Sequence, residues 1–406
     1  MKIYHLFLVL IVLVSCKEEK QQVPTTLKTG TYQAVLKVND SVDLPFVFEV
    51  LSKNKLHIFN AEEVIEVDEV TYRNDSVFIK PPVFDSYIAV AITDEGLEGV
   101  YIKEDLKRTV PFKAILGSTK RFEAANKATT DMSGIWETTF SPDSEDDRYI
   151  AKGIFKQIDN KITGTFRTTT GDYRYLEGVM DGNQLKLSTF DGAHAFLFAA
   201  TVTDSTMQGM FYSGNHFKEP FIAKRNEVFE LPDANDLTFL KEGYDKVSFS
   251  FPDKNGKMVS MEDERFKNKV VLVQIMGTWC PNCLDESKYL ANYYKNNKDN
   301  GLEIVGLAFE YTKTEDKAFA NIQRLKSRLN IQYPVLLAQF GTASKVSAQE
   351  KLPMLNHILS YPTTIFIDKT GAVRKIHTGF NGPATGEKYT EFTTEFEGFV
   401  NGLLVE

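Results

Sequence analysis

Cysteine is scarce in this chain: three residues of 406, at positions 16, 280 and 283. So few thiols cannot build the multi-bridge framework on which small exported domains rely. An excess of positive charge is also missing. Lys and Arg number 47 against 55 Asp and Glu, for a formal net charge of -8. A surface of this kind lacks the basic patch that phosphate binding needs, which argues against a nucleic-acid partner. The unbroken apolar run Leu6–Val14 falls short of the about 20 residues a helix needs to span a bilayer. Nor is the chain poor in core-forming residues. Hydrophobic residues make up 42% and charged residues 25%, the balance of a folded globular protein. The length suggests two to three domains.

What is present begins at the N-terminus. Lys2 and His5 precede the apolar run, which has the length of a secretory h-region. Leu13-Val14-Ser15-Cys16 resembles the bacterial lipobox. That resemblance implies that residues 1–15 are a lipoprotein signal peptide and that Cys16 becomes the acylated N-terminus. Each buried acyl CH₂ contributes about 0.8 kcal/mol, so two or three chains anchor firmly. Lys17-Glu18-Glu19-Lys20 is similar to the surface-export signals of Bacteroidetes lipoproteins. The expected location is the cell envelope, lipid-anchored to a bacterial membrane, with the domains facing periplasm or cell surface. Residues 16–27, polar and with Pro24, read as a tether. With Cys16 lipidated, thiol chemistry falls to Cys280 and Cys283. An exported chain that keeps two cysteines in one Cys-x-x-Cys points to redox activity rather than stapling.

From Gly30 onward, short runs rich in Val, Phe, Tyr, Ile and Thr alternate with turn residues such as Asn39-Asp40 and Asp94-Glu95-Gly96. Strands follow from this pattern. The pattern then repeats itself. Gly30-Thr31-Tyr32 is echoed by Gly134-Ile135-Trp136, and Phe84-Asp85-Ser86 by Phe190-Asp191-Gly192. Leu97-Glu98-Gly99-Val100-Tyr101 is echoed by Met207-Gln208-Gly209-Met210-Phe211, and Pro111-Phe112-Lys113-Ala114 by Pro220-Phe221-Ile222-Ala223. The echoes keep their order at a separation of roughly 105 residues, which predicts a duplicated all-β unit over 28–118 and 133–226. Glu123 to Met132 reads as a linker or a helix.

From about Tyr244, strand-like and helix-like segments alternate. The pattern predicts strands over 245–251, 270–276, 303–309, 363–368 and 372–377, with a hairpin turn at Asp253-Lys254-Asn255-Gly256. Helices are predicted over 281–295, 314–329 and 391–404. Val270 to Met276 is apolar apart from Gln274, as for a strand buried on both faces. A central sheet with helices on both faces follows. The fold class is therefore multidomain: an N-terminal duplicated all-β region, then an α/β domain over 244–406.

Between the buried strand and the helix at 281 lies Gly277-Thr278-Trp279-Cys280-Pro281-Asn282-Cys283. With the 253–257 hairpin upstream and Tyr361-Pro362-Thr363 before a late strand, this motif resembles the thioredoxin superfamily. Within it the match is to the TlpA/ResA-like thiol-disulfide oxidoreductases. The physics agrees. Unpaired backbone N–H groups and the macrodipole at a helix N-terminus favour a thiolate at Cys280, and the thiolate is the nucleophile. Cys280 is expected to attack a substrate disulfide and Cys283, one turn inward and less exposed, to resolve the mixed disulfide. Pro281 suits the first helical position.

The resemblance implies that Pro362 is cis and faces the Cys pair. With Trp279, the run Tyr361-Pro362-Thr363 would then form the platform for the substrate chain. In thioredoxin a buried acid serves the inner cysteine. The corresponding place here holds Gln274, which cannot exchange protons. Glu310, at the end of the following strand, is the candidate base for Cys283. The stretch Tyr311 to Ser360 matches the insertion of the TlpA/ResA-like branch in position.

Other chemistries lack residues. Zinc needs four ligands and one Cys-x-x-Cys supplies two, with His357 and His377 isolated in sequence. The peroxiredoxin pattern requires Thr and Pro where this chain has Gly277 and Val273. No metal and no separate cofactor are expected, the Cys280–Cys283 disulfide being the redox group. The expected function is reduction of disulfides in exported proteins, with electrons from a membrane thiol donor. An oxidant or isomerase on the same fold is a further possibility. A rival reading from another class is a cell-envelope binding lipoprotein whose β repeats capture a ligand, with an ancillary redox domain.

Overall fold

A computed structural model of the protein describes residues 26–406. The signal peptide (1–15), the Cys16 lipidation site and most of the 16–27 tether lie outside the described residues. No helix among the described residues is long and apolar enough to cross a membrane.

The first β-rich stretch forms β1 (Gly30–Lys37), β2 (Asp43–Ser52), β3 (Lys55–Asn60), β4 (Glu63–Val67) and β5 (Glu69–Arg73). It continues through β6 (Ser76–Lys80), β7 (Tyr87–Ile92), β8 (Leu97–Lys103) and β9 (Arg108–Leu116). They make one sheet in the order β4-β3-β2-β1-β9-β8-β7-β6-β5. Side chains alternate as the strand period of two demands. In β1, Tyr32, Ala34 and Leu36 are buried while their neighbours are half-exposed.

The second stretch forms β10 (Gly134–Phe140), β11 (Tyr149–Ile158), β12 (Lys161–Thr168), β13 (Gly171–Asp172) and β14 (Leu176–Asp181). After it come β15 (Gln184–Phe190), β16 (Ala195–Val202), β17 (Thr206–Ser213) and β18 (Phe217–Arg225). Here β11 also pairs with β12, so the ring of strands closes into a barrel. Its interior is aromatic: Phe198 stacks on Phe211 at 4.7 Å, and Phe140 meets Phe166 edge-on at 5.5 Å.

The two sheets share one connectivity. In each, the first strand lies between the second and the last, β1 between β2 and β9, β10 between β11 and β18. The echoed residues occupy matching stations. Gly99 pairs with Phe112 across β8–β9, and Gly209 with Phe221 across β17–β18.

The α/β unit has a short hairpin, β19 (Ser250–Pro252) with β20 (Met258–Ser260), then β21 (Val270–Met276) and α1 (Pro281–Asn297). Next come β22 (Leu302–Phe309), α2 (Glu315–Leu329), β23 (Val335–Gln339) and α3 (Lys345–Lys351). The hairpin β24 (Thr363–Ile367) and β25 (Val373–Thr378) precedes α4 (Glu387–Val405). The five-stranded sheet runs β23-β22-β21-β24-β25, with β21–β22–β23 parallel and β24, β25 antiparallel. Every residue of β21 is buried, so both faces of the central strand are covered.

One expectation needs correction. The strand predicted over 245–251 forms a ladder only from Ser250. Val247 and Phe249 point inward with strand-like alternation, yet no neighbouring strand among the described residues pairs with their backbone. Of the two readings of Glu123 to Met132, the structure shows the linker; it runs across the barrel, held by bonds such as Asn126 N–H to Asp181. The stretch 311–360 also contains two elements the pattern did not signal, the buried strand β23 and the short helix α3.

The parts are fastened by specific contacts. Phe190 of the barrel stacks on Phe46 of the first sheet at 4.3 Å. Arg121, in the connection between the sheets, is 5% exposed. Its guanidinium donates to Pro45 O, Phe59 O and Asn60 Oδ1 on one side and to Ser188 O and Oγ on the other. Burial pushes this guanidinium down to about 10. On α2, Lys317, Arg324 and Arg328 share one face by their spacing. They pair with Asp85 and Asp105, with Glu69, and with Asp68 of the first sheet.

Replacing Arg121 with Ala removes a buried donor shared by both sheets, leaving Pro45 O to Ser188 Oγ and Asn60 Oδ1 to Phe190 N–H. The expected loss is about 3–5 kcal/mol of unfolding free energy, read by urea titration of the full chain. A loss below about 1 kcal/mol would show that the sheets are held together by other contacts.

Candidate active site

The catalytic motif begins where β21 ends. A Cβ on Gly277 would come within 2.4 Å of Trp279 Nε1, so only glycine lets the chain turn this tightly under the indole. Trp279 is held in place by donating to Phe309 O at 2.9 Å and by edge contact with Tyr361 at 5.6 Å. Cys280 is the N-cap of α1, in extended conformation, with Pro281 at the first helical position. Its sulfur accepts the backbone N–H of Cys283 at 3.2 Å. This is the helix N-terminus donating to the position where a thiolate would carry its charge.

Both cysteines are free thiols. Cys280 is 7% exposed and Cys283 is fully buried. Burial pushes the Cys283 thiol well up, and the neighbouring Cys280 and Glu286 add to the shift. Cys280 Sγ donates to Tyr361 O at 3.4 Å, and the Tyr361–Pro362 bond is cis. Thr363 is buried, its hydroxyl donating to Ser360 O at 2.9 Å. Trp279, Tyr361, Pro362 and Thr363 are thus gathered around the Cys pair, with Thr363 turned into the fold.

The two carboxyls near the site differ in their partners. Glu310 is buried and accepts from Thr278 N–H at 2.8 Å and Thr278 Oγ1 at 2.7 Å. It clamps the loop that carries Trp279. Burial raises it to about 7. Glu286, which sequence reasoning passed over, is the charged group that acts on Cys283. It accepts from Gln274 Nε2 at 2.7 Å and Thr364 Oγ1 at 2.8 Å, and burial raises it to about 7. The available signal was its place three residues after Cys283 on the same helix face, opposite the Gln274 that lacks a titratable proton. Lys345, at the start of α3, was also missed. It lines the cleft and feels the charge of Cys280, while burial lowers it. His357 and His377 stand apart from the Cys pair. His377 packs on Phe392, and His357 contacts Leu237 O.

The cleft has a second wall that no motif announced. The β12–β13 turn and the residues after it lean over the thioredoxin-like face. Asn282 donates to Asp172 O at 3.2 Å, Ser360 to Thr170 O at 2.7 Å, and Gly382 N–H to Asp172 Oδ2 at 2.6 Å. A Cβ on Gly171 would lie 1.9 Å from Asn282 Nδ2, which shows how closely the barrel approaches. Arg174 meets Glu63, Asp191 and Asp285, and donates to Pro281 O. The cleft enclosed between the domains has a volume of about 680 Å³ and includes Cys280, Trp279 and Tyr361.

Comparison with known proteins now has a geometry to meet. A Redoxin family model matches residues 241–391. Over 141 residues the chain is 32% identical to thiol-disulfide oxidoreductase ResA of Bacillus subtilis (strain 168), covering 34% of this chain and 69% of the relative. The chain belongs to the TlpA/ResA-like family of thiol-disulfide oxidoreductases. A second ResA, from Bacillus thuringiensis subsp. konkukian, is 27% identical over 37% of this chain and 75% of its own length. A thiol-disulfide oxidoreductase structure from Bacteroides fragilis is 21% identical, covering 37% of this chain and 99% of its own, with a TM-score of 0.28. The family match lies on the α/β unit that carries Cys280 and Cys283, and the β units are outside it.

The buried carboxyls set a pH dependence. Glu286 and Glu310 hold protons to about pH 7 in the folded chain, against 4.5 for an ordinary glutamate. The folded state binds the extra proton between these values. Their contribution is therefore full below pH 4.5 and is lost as pH rises through 7. Glu286→Gln should remove its share, flattening the fall in unfolding free energy between pH 5 and 7.5 by up to about 3 kcal/mol. Denaturant titrations at the two pH values measure this, and an unchanged slope would assign the dependence elsewhere.

Proposed function

We propose that this oxidoreductase reduces disulfides of exported proteins, using the Cys280–Cys283 pair as its redox group without a separate cofactor. The observation that carries the reading is the asymmetry of the pair. Cys280 sits at the helix N-cap and lines the cleft, whereas Cys283 is fully buried beneath it. Cys280 thiolate attacks a substrate sulfur, forming a mixed disulfide and releasing one substrate thiolate. Cys283, as thiolate, then attacks Cys280 Sγ, closing the internal disulfide and releasing the second. Glu286, buried and one turn along α1 from Cys283, takes the proton of that thiol. Glu310 has the alternative role of base, though both its oxygens are engaged by Thr278. Trp279, Tyr361 and Pro362 support the bound chain.

We read the two β units as a duplication, on their shared strand order and echoed residues. The lipobox resemblance supports anchoring through Cys16 to a bacterial membrane, facing periplasm or cell surface. A membrane thiol donor would then re-reduce the pair.

Four measurements test this. Cys280→Ser should drop disulfide exchange to background, and Cys283→Ser should accumulate the mixed disulfide, visible by mass. The equilibrium potential of the pair should fall near or below about -250 mV, and a value above about -180 mV would make the protein an oxidant or isomerase instead. Full complementation of a deletion strain by Cys280→Ser would favour a binding lipoprotein.

A further inference from the structure

Beside the catalytic cleft lies a second cavity of about 340 Å³, walled by both β units and by Trp279 and Tyr311. It shares His194, Phe196 and Trp279 with the cleft, so a molecule held at Cys280 has direct access to it. Its polar lining is one-sided: Lys103, Arg108, His194 and His216 contribute to the wall, and no Asp or Glu does. His194 is matched by Asp191 at 3.3 Å, and Lys103 donates to Ala193 O at 2.9 Å. Arg108 is different. The neighbours that favour its charge are the hydroxyls of Tyr311 and Tyr101, with no carboxylate among them. Burial, together with the charges of Arg108 and Lys103, holds His216 down to about 4. Burial and Arg108 likewise lower Lys103 to about 8, against the opposing pull of Asp191 and Asp85. Arg108 therefore stands half-buried on the wall of this space with no carboxylate paired to it among the described residues, beside Lys103.

We infer that this cavity is an anion subsite that receives a carboxylate of the disulfide substrate while its sulfurs engage Cys280. The inference rests on the redox reading of the Cys pair and names the substrate class: disulfides with a carboxylate close to the bridge. Long-range steering does not account for such a preference, because the chain as a whole carries a net charge of -8 and repels anions. The exchange balances as before. The pre-reduced dithiol gives two electrons to the substrate disulfide, which leaves as two thiols, and Cys280–Cys283 closes.

The test compares 3,3′-dithiodipropionate with its neutral diamide as oxidants of the pre-reduced full chain, followed by stopped-flow fluorescence. The ratio of their rates in the native protein should exceed that in Arg108→Gln by about tenfold, the weight of one charge-assisted contact. The loss should lie in apparent affinity for the diacid, with the diamide rate unchanged, which also shows that the variant is folded. Equal ratios in the two proteins would overturn the inference.

Octanedioate, which has the same chain length and no disulfide, separates this from failure of the redox reading. It should bind the native protein and inhibit diacid exchange, and bind Arg108→Gln at least about tenfold more weakly. If neither disulfide oxidises the pair, the redox reading falls and octanedioate binding alone decides the subsite. A cystine peptide with Asp beside the bridge, set against its Asn counterpart, identifies the source. A preference seen there as well supports acidic polypeptide segments; one confined to the small diacid supports small acidic disulfides.

Discussion

The arrangement of the whole molecule hinges on Arg174. It stands just after β13 in a left-handed backbone conformation, with φ at 59° and its guanidinium almost wholly buried. A lone cation there would be costly, and burial does act to lower it. Asp285 of α1, Glu63 of the first sheet and Asp191 of the barrel overcome that and hold it firmly charged. One side chain therefore joins three structural units at a point two residues beyond Cys283. Because it also donates to Pro281 O, the first turn of the catalytic helix is positioned by a residue of the β region. Asp172 completes the junction by accepting from Gly382 N–H, and burial raises its carboxyl to about 6.

That junction gives the β units a role in the chemistry. In an isolated thioredoxin-like domain, the face around the cysteines would lie open to solvent. Here the barrel packs beside it, and Cys280 lines a cleft between the two. A substrate disulfide must enter between two walls, one providing Cys280 and Tyr361, the other the residues around Thr170 and His194. The two walls of the cleft thus come from different domains, held in register by ion pairs and by the salt-bridged face of α2.

Much of this was legible along the chain. The run 270–276, apolar but for Gln274, reads as a covered strand, and Pro281 after a cysteine suits the first position of a helix. The boundaries of β21, β22 and α2 accordingly lie within a residue or two of the pattern. The strand over 245–251 was misread because Val247 and Phe249 alternate correctly, while pairing depends on a neighbour that alternation does not encode. The closed barrel was not legible either, since closure rests on the β11–β12 pairing and one-dimensional patterning is the same for open and closed sheets.

The sequence by itself located the Cys280-Pro281-Asn282-Cys283 motif, its helix N-cap, the Tyr361-Pro362 turn and the strand or helix character of most segments. These are local properties, set by residue type and by periods of two or 3.6. Only the tertiary structure decided which carboxyl stands by Cys283, which lysine faces Cys280 and what roofs the cleft. Glu286, Lys345, Asp172 and Arg174 are ordinary polar residues in ordinary contexts along the chain. Their effect comes from burial and from partners on other elements, more than a hundred residues away for Asp172 and Arg174, and the low dielectric and Coulombic coupling that shift their charges exist only once those partners are brought together.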